Sequence, residues 1–381
     1  MVSNKKKNII FCSTEFVTSS DYGGLAIFLD KFLKTLKKNY NVHLIVTSKN
    51  DNIRKYKGIF IYNVNIDKLY LKIFKKYLLP LFFIFQSFLI NKKINQLINT
   101  IKNISFVHFS NYQCLSLFYN NKLPSITRLS SLETLWSKKD FFSFKKFLER
   151  YALSKTDLIL SPSKFLISEL KKNYNLKSYY LPPLIEKIPS KVMDNNKKII
   201  ITFGSISPGK GSHTIEEIIH QLLSVHKNIH YYWVGNVDKK FYSSNLSFKK
   251  KLQSKTKFHN RIHIIDKLNR NKLFKLINKS EIVILPSLRD NSPNACLEAL
   301  SMNKIVIARN NSGYNDLIKN KFNGFLFNKN NDFEIPLITS KILSLNNKDK
   351  KKIKKNIVFY NKEFNPKKIL FFYKRYIKKI I

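Results

Sequence analysis

Two short stretches of this 381-residue chain hold residue types that could bind an anionic ligand and act on it. The first is Gly204-Ser205-Ile206-Ser207-Pro208-Gly209-Lys210-Gly211, between an apolar run ending at Phe203 and a helical pattern from Ser212. Glycines let a backbone approach a ligand closely, and a helix start offers unpaired N–H donors. Lys210 adds a full positive charge, so the turn suits a phosphate or diphosphate. It is not a P-loop, because Gly211 follows the lysine where that loop has its magnesium-binding hydroxyl. An ordinary glycine turn carrying a surface lysine explains the stretch equally well.

The second stretch is Leu285 to Met302, LPSLRDNSPNACLEALSM. An apolar strand ends at Pro286. Ser292 and Pro293 read as N-cap and first residue of a helix that continues through Ala295, Leu297 and Leu300 to a left-handed stop at Asn303. Asp290 then lies in the loop at the mouth of a sheet. Asn294 and Glu298, four apart, share one helical face. A carboxylate among apolar neighbours, as Glu298 is, either pairs with a cap or a lysine or accepts two ribose hydroxyls. The helix start from Ser292 adds N–H donors for a diphosphate.

Asp290 and Glu298, with seven residues between them, resemble the paired-carboxylate signature of retaining glycosyltransferases of family 4. DNSPNACLEAL, NKIVIARNNSGYNDLI and NGFLF match the subgroup with Asp at the first place. Gly23-Gly24, the SPSKF at Ser161 to Phe165 and the GSISPGKG turn extend the likeness over most of the chain, most specifically over Gly204 to Phe327. The resemblance implies a GT-B fold and metal-independent transfer from a nucleoside-diphosphate sugar, with no cofactor. It implies that Glu298 binds the nucleotide ribose. Asp290 contacts sugar hydroxyls, with backbone help from Asn291, Ser292 and Asn294. Lys210, Gly204, Ser205 and Gly211 meet the diphosphate, and Gly24 touches the same phosphates. Asp290, Glu298 and Lys210 are the residues expected to carry catalysis. Two departures stand out. Ser205 holds the place of a usual arginine, with Arg289 as a candidate substitute. TRLSSLETLW, Thr127 to Trp136, lacks a usual histidine, leaving Arg128, Ser130 and His108 as acceptor-side candidates beside plain structural readings.

The elements that must position these residues alternate strand and helix from end to end, which predicts parallel sheets with crossover helices. Strands are expected at Asn8 to Cys12, Val42 to Thr47, Ser105 to Phe109, Ser125 to Leu129 and Leu158 to Leu160. A second set follows at Lys198 to Phe203, Ile229 to Val234, Ile262 to Ile265, Ile282 to Leu285, Ile305 to Ala308 and Gly324 to Phe327. The three prolines of Leu181 to Val192 mark a linker. The expected architecture is α/β, two doubly wound Rossmann-like domains facing a cleft. Residues 1–185 form the acceptor domain and 186–362 the donor domain, with a helix over 363–381 returning to the first.

The formal charge of +45 has two readings: a solvated lysine surface, or attraction to an anionic partner. The lysines are too evenly spread for a nucleic-acid face, so no nucleic-acid partner is expected. Cys12, Cys114 and Cys296 lack metal or redox spacing, and the eight histidines are scattered, so buried thiols and no metal site are expected. The run Leu78 to Ile90 is too short to span a membrane. It reads as a buried helix, or as one lying on a membrane beside Lys72, Lys75, Lys76, Lys92 and Lys93. The resulting expectation is a cytoplasmic enzyme, peripheral on the inner membrane face. It moves sugar to a glycan or a polyprenyl- or other lipid-linked acceptor in surface polysaccharide or lipopolysaccharide synthesis. A GT-B epimerase and a basic nucleic-acid-binding protein are the alternatives; a phosphorylase would need a lysine-bound cofactor motif that the sequence lacks.

Overall fold

The computed structural model describes residues 6–19, 23–67, 69–120, 123–135, 144–186, 188 and 198–381. Its strands are β1 (Lys7–Ser13), β2 (Tyr40–Ser48), β3 (Asn52–Tyr56), β4 (Ile59–Asn65), β5 (Ile104–Ser110), β6 (Ser125–Arg128), β7 (Leu158–Ser161), β8 (Tyr179–Tyr180), β9 (Lys198–Phe203), β10 (Ile229–Val234), β11 (Ile262–Ile265), β12 (Ser280–Leu285), β13 (Ile305–Arg309) and β14 (Phe325–Phe327). The helices are α1 (Gly24–Leu36), α2 (Leu69–Tyr77), α3 (Leu79–Thr100), α4 (Phe144–Ser154), α5 (Lys164–Tyr174), α6 (Ser212–Ser224), α7 (Asn245–Gln253), α8 (Arg270–Lys279), α9 (Asn294–Ser301), α10 (Tyr314–Leu317), α11 (Glu334–Ser344), α12 (Asn347–Asn361) and α13 (Pro366–Ile377). The chain divides into two compact units, Met1–Leu184 with Pro366–Ile381, and Ile185–Asn365. Of the proline-rich stretch 181–192, residues 187 and 189–192 lie outside the described residues.

Unit 1 is built on one sheet in the order β3-β4-β2-β1-β5-β6-β7-β8. Every pair is parallel except β3 with β4. The central strands are apolar on both faces because helices cover both, as a parallel sheet requires. On one face α1 packs Phe28, Leu29, Phe32 and Leu33 with Ile369, Tyr373 and Ile377 of α13. On the other, Ile90, Ile94 and Leu97 of α3 meet Ile10, Val107 and Phe109. The chain leaves β1 toward β2 on one side and returns to β5 on the other. That reversal lies between β1 and β5, and the carboxyl ends of strands at such a point are where folds of this kind bind ligands.

Unit 2 repeats the plan with six parallel strands in the order β11-β10-β9-β12-β13-β14. Runs such as IIITF and EIVIL are almost wholly buried. The direction of winding reverses between β9 and β12. Both candidate stretches follow these two strands, at their carboxyl ends.

The run Leu78 to Ile90 forms the first half of α3, with Pro80 in its first turn, where the missing N–H costs nothing. It is buried on one side only: Phe82, Phe83 and Ile90 are covered, while Phe85 and Phe88 are 40% and 53% exposed. Among the described residues no helix is long and apolar enough to cross a membrane. The three cysteines are free and buried.

Candidate active site

In unit 2 three loops converge at the carboxyl edge of the sheet. The turn after β9 lies against the segment after β12. At Gly211, with φ +83°, an added Cβ would stand 2.4 Å from the Pro286 carbonyl oxygen, so the turn tolerates only glycine there. The Leu288 N–H donates to Gly209 O at 3.1 Å and fastens the two segments. The loop after β13 closes the third side. Gly313 N donates to Asp290 O at 2.8 Å, Asp290 N donates to Ser312 Oγ at 3.0 Å, and the Asn311 amide donates to Leu288 O. Gly313 is also obligatory, because a Cβ would fall 2.5 Å from Asn291 O.

This convergence brings Lys210 and Asp290 together from 80 residues apart, with Nζ to Oδ2 at 2.6 Å. Lys210 is half-exposed and Asp290 largely covered, so the cation keeps access to solvent while the carboxylate fixes its position. Glu298 lies on α9, 7% exposed, and Arg270 at the start of α8 reaches it at 2.9 Å. Of the two readings of Glu298, the structure shows the pairing one, with an arginine as the partner. Oε1 carries the ion pair, and a carboxylate has further acceptor capacity beyond it. Gly204 and Ser205 are exposed beside Lys210, and no neighbour crowds Gly204. Arg289 is exposed on the same loop.

Helix α9 begins at Asn294, with Pro293 at the capping position, one residue later than the Ser-Pro signature places it. Pro293 has ψ +94°, outside the helical range. The clasp of Asp290 and Asn291 against Ser312 and Gly313 holds the approach extended until Asn294. Asn303 ends the helix region in the left-handed conformation, φ +58°.

Two buried groups behind the site lie in the NKIVIARNNSGYNDLI stretch, where the sequence assigns neither a role of its own. Arg309, 2% exposed, donates to Pro286 O, Lys329 O and Thr214 Oγ1, and pairs with Asp332 at 2.8 Å. One side chain thereby ties α6, the end of β12 and the segment after β14. Tyr314 is buried beneath the loop; burial first, and then the Asp290 charge, raise its hydroxyl well above the usual tyrosine range. Ordinary β-strand and helix patterns gave no reason to single out either residue.

In unit 1 the helix after the double-glycine loop starts at Gly24, and Ser20 to Tyr22 of that loop lie outside the described residues. Glu15, absent from the sequence-based candidates, accepts from Gly23 N at 2.9 Å and Ala26 N at 3.1 Å. A carboxylate here does the capping that a helix N-terminus favours. His108 is buried, stacked on Phe11 with centroids 4.4 Å apart, and Nδ1 meets the Tyr373 hydroxyl at 2.7 Å. Burial, and secondarily the Arg128 charge, lower its pKa well below the usual histidine range. It is a buried residue packed within the core of unit 1. Ser130 is held by Asn111, whose Oδ1 accepts from its N–H and Oγ at 2.7 and 3.0 Å. Asn111 in turn donates to Glu149, which also accepts from Glu133 N and Tyr174 OH. Burial pushes the Glu149 carboxyl up to about 7 against these hydrogen bonds. Arg128 stacks on Phe28, its guanidinium carbon 3.5 Å from the ring centre. Trp136 lies outside the described residues.

Residues 185–359 match the family described as Glycosyl transferases group 1. The chain is 24% identical over 353 residues to an uncharacterized glycosyltransferase, MJ1178, of Methanocaldococcus jannaschii, covering 91% of this chain and 90% of that protein. Among solved structures it is similar to sucrose-phosphate synthase (tll1590) of Thermosynechococcus elongatus. The TM-score is 0.77 at 12% identity, over 98% of this chain and 99% of that one. It is also similar to Anabaena Alr3699/HepE, solved in complex with UDP-glucose, with TM-score 0.70 at 14% identity over 95% and 96% of the two chains. The fold is GT-B, and with this domain in unit 2 the chain is a glycosyltransferase.

Proposed function

We propose that this chain is a retaining glycosyltransferase of family 4. It moves a sugar from a nucleoside diphosphate to a glycan or lipid-linked acceptor in surface polysaccharide synthesis. The observation that carries the reading is the Lys210–Asp290 pair at 2.6 Å, set at the reversal point of unit 2 beside the helix that bears Glu298. That edge is where a doubly wound sheet binds a nucleotide. Lys210 takes the charge that develops on the departing diphosphate, and backbone N–H groups around Asn291 to Asn294 supplement it. Fixed donors of this kind stabilise a leaving group without a metal or cofactor. Asp290 accepts from donor-sugar hydroxyls while holding Lys210 in place, and Glu298 accepts from the ribose. The HepE complex with UDP-glucose supports a nucleotide-sugar donor for this chain. A thermal-shift panel of UDP, GDP and their sugars tests the reading. One nucleotide family should raise the melting temperature by about 3 °C or more at ten times its Kd. No shift with any of them would remove the donor assignment.

The acceptor side extends to a membrane surface in this reading. The segment 69–93 carries five lysines and no acid, and Ile73, Leu78, Phe85 and Phe88 stand exposed among them. Apolar side chains flanked by lysines suit an anionic interface, and a peripheral, cytoplasmic placement follows. Flotation with anionic vesicles should carry the wild-type protein upward. Phe85→Ser with Phe88→Ser should leave it at the bottom. Equal recovery of both forms in the lipid-free fraction would dismiss the idea.

A further inference from the structure

We infer that Arg128 is the anchor of an oxyanion site in unit 1, and that the acceptor carries the oxyanion as a phosphate group. Arg128 ends β6 and is 5% exposed. Its Nη1 makes one long contact, 3.4 Å to Leu129 O, while Nε and Nη2 have no hydrogen-bond partner. Among the described residues it forms no ion pair. Nε and Nη2 are the two nitrogens of one guanidinium edge. They form the parallel fork that matches two oxygens of a phosphate or carboxylate. The side chain is held in place by stacking, with Phe28 beneath its plane. Its strand neighbour Ser110 pairs with it in register across β5 and β6, and so faces the same side of the sheet. Ser110 Oγ is likewise buried and unpartnered.

A buried cation lacking a counter-charge is costly, and a side chain kept that way is kept for something other than stability. Burial pulls the Arg128 pKa down to about 9, which leaves the group charged at neutral pH. Other buried polar atoms of unit 1 also lack partners, among them the Gln86 amide and Thr127 Oγ1, but these are neutral, whereas Arg128 is a cation. The buried carboxylate Glu149 is satisfied by Asn111 and Tyr174. Arg128 and Ser110 lie at the carboxyl ends of β6 and β5, on the side of the sheet that the fold reserves for ligands. The fork fixes an incoming phosphate in plane, and the serine hydroxyl donates to a third oxygen. No bond is made or broken in this step.

The inference rests on the transferase reading only in assigning the anion to the acceptor. Its test therefore reads binding without turnover. The full chain is melted in inorganic phosphate against chloride at equal ionic strength. Phosphate should raise the wild-type melting temperature by about 3 to 5 °C at ten times its Kd. Arg128→Met should abolish that rise, and Arg128→Lys, which keeps the charge and loses the fork, should lose most of it. Arg128→Met by itself should melt no lower than wild type, because it removes an unpaired buried charge. A phosphate shift retained in Arg128→Met, or no shift in any form, would overturn the site. Collapse of Arg128→Met to a much lower melting temperature would show a structural arginine and overturn it too. Glucose 6-phosphate and a detergent-solubilised polyprenyl phosphate then separate the two sources, a soluble sugar phosphate or a lipid. Displacement of bound phosphate by UDP, with neither phosphorylated compound competing, would place the anion on the donor and overturn the acceptor assignment. A failure here leaves the Lys210 and Glu298 roles standing, and a failure there leaves this site standing.

Discussion

Lys210→Ala is expected to lower kcat by about 10²- to 10³-fold, the usual loss when one fixed charge-stabilising donor is removed, with much less change in donor KM. The physical ground is the difference between substrate and transition state. A nucleoside diphosphate sugar already carries negative charge, and in the proposed role Lys210 meets it in both states. The leaving oxygen gains charge only as the glycosidic bond breaks, and only then does a cation held 2.6 Å from Asp290 act to full effect. Asp290→Asn keeps the shape of the loop but releases the lysine and removes an anionic acceptor, so it should lose rate as well. Glu298→Ala should behave differently. It removes hydrogen bonds to a charged acceptor, worth about 1.5–3 kcal/mol, and leaves Arg270 without its partner. Its effect should appear in the nucleotide Kd by calorimetry. Steady-state kinetics decide the first case: a kcat for Lys210→Ala within threefold of wild type would take the lysine out of the mechanism.

Arg309→Met is the second large expectation, and it concerns stability. Breaking a buried ion pair from one side leaves the other charge stranded and costs about 3–5 kcal/mol. Here the stranded groups are Asp332 and the Pro286, Lys329 and Thr214 acceptors, all on different elements. Thr214 Oγ1 also donates to Asp332 Oδ2 at 2.6 Å, so the loss is shared within one network. Unit 2 should melt roughly 10 °C lower at about 2–4 °C per kcal/mol. The companion Asp332→Asn should lose part of this, and the double variant should lose less than the sum of the two. Strictly additive losses in denaturant titrations would show that the network does not act as a unit. Because Pro286 leads directly into the Asp290 loop, nucleotide affinity should fall together with stability.

The sequence made the centre of each sheet legible and left its margins obscure. Runs such as IIITF and EIVIL are apolar because helices cover both faces, and that is visible as composition. The strand β3 is NIRKY, exposed along most of its length, and pairs with β4 through a turn at Lys57 and Gly58 with positive φ. An edge strand armed with charge hides its pairing from any hydrophobic pattern. The expected strands also omitted β4, IFIYNVN, and the two-residue β8. At the candidate site, Asp290 and Glu298 could be singled out because their spacing falls within one loop and helix. Arg270 was not, because its contact with Glu298 spans 28 positions, and nothing local to Arg270 marks it. Arg309, Glu15 and the Asn111–Glu149 network were hidden for the same reason: burial of a polar side chain is a property of distant chain segments. His108 was open to two readings in the sequence, a ligand-facing group or a structural histidine, because its packing against Tyr373 of α13 spans 265 positions.

That last contact bears on the order in which the protein can be made. Unit 1 draws part of its core, Ile369, Tyr373 and Ile377, from a helix that follows all of unit 2 in the chain. During synthesis, the first 184 residues emerge long before this helix exists. Their sheet must wait with the Phe28, Phe32 and Phe106 surface uncovered while unit 2 emerges and closes around its own core. Folding therefore finishes out of sequence order, the downstream unit first. A chain cut after residue 365 would keep all of unit 2, joined to an N-terminal unit whose aromatic face lacks Ile369, Tyr373 and Ile377.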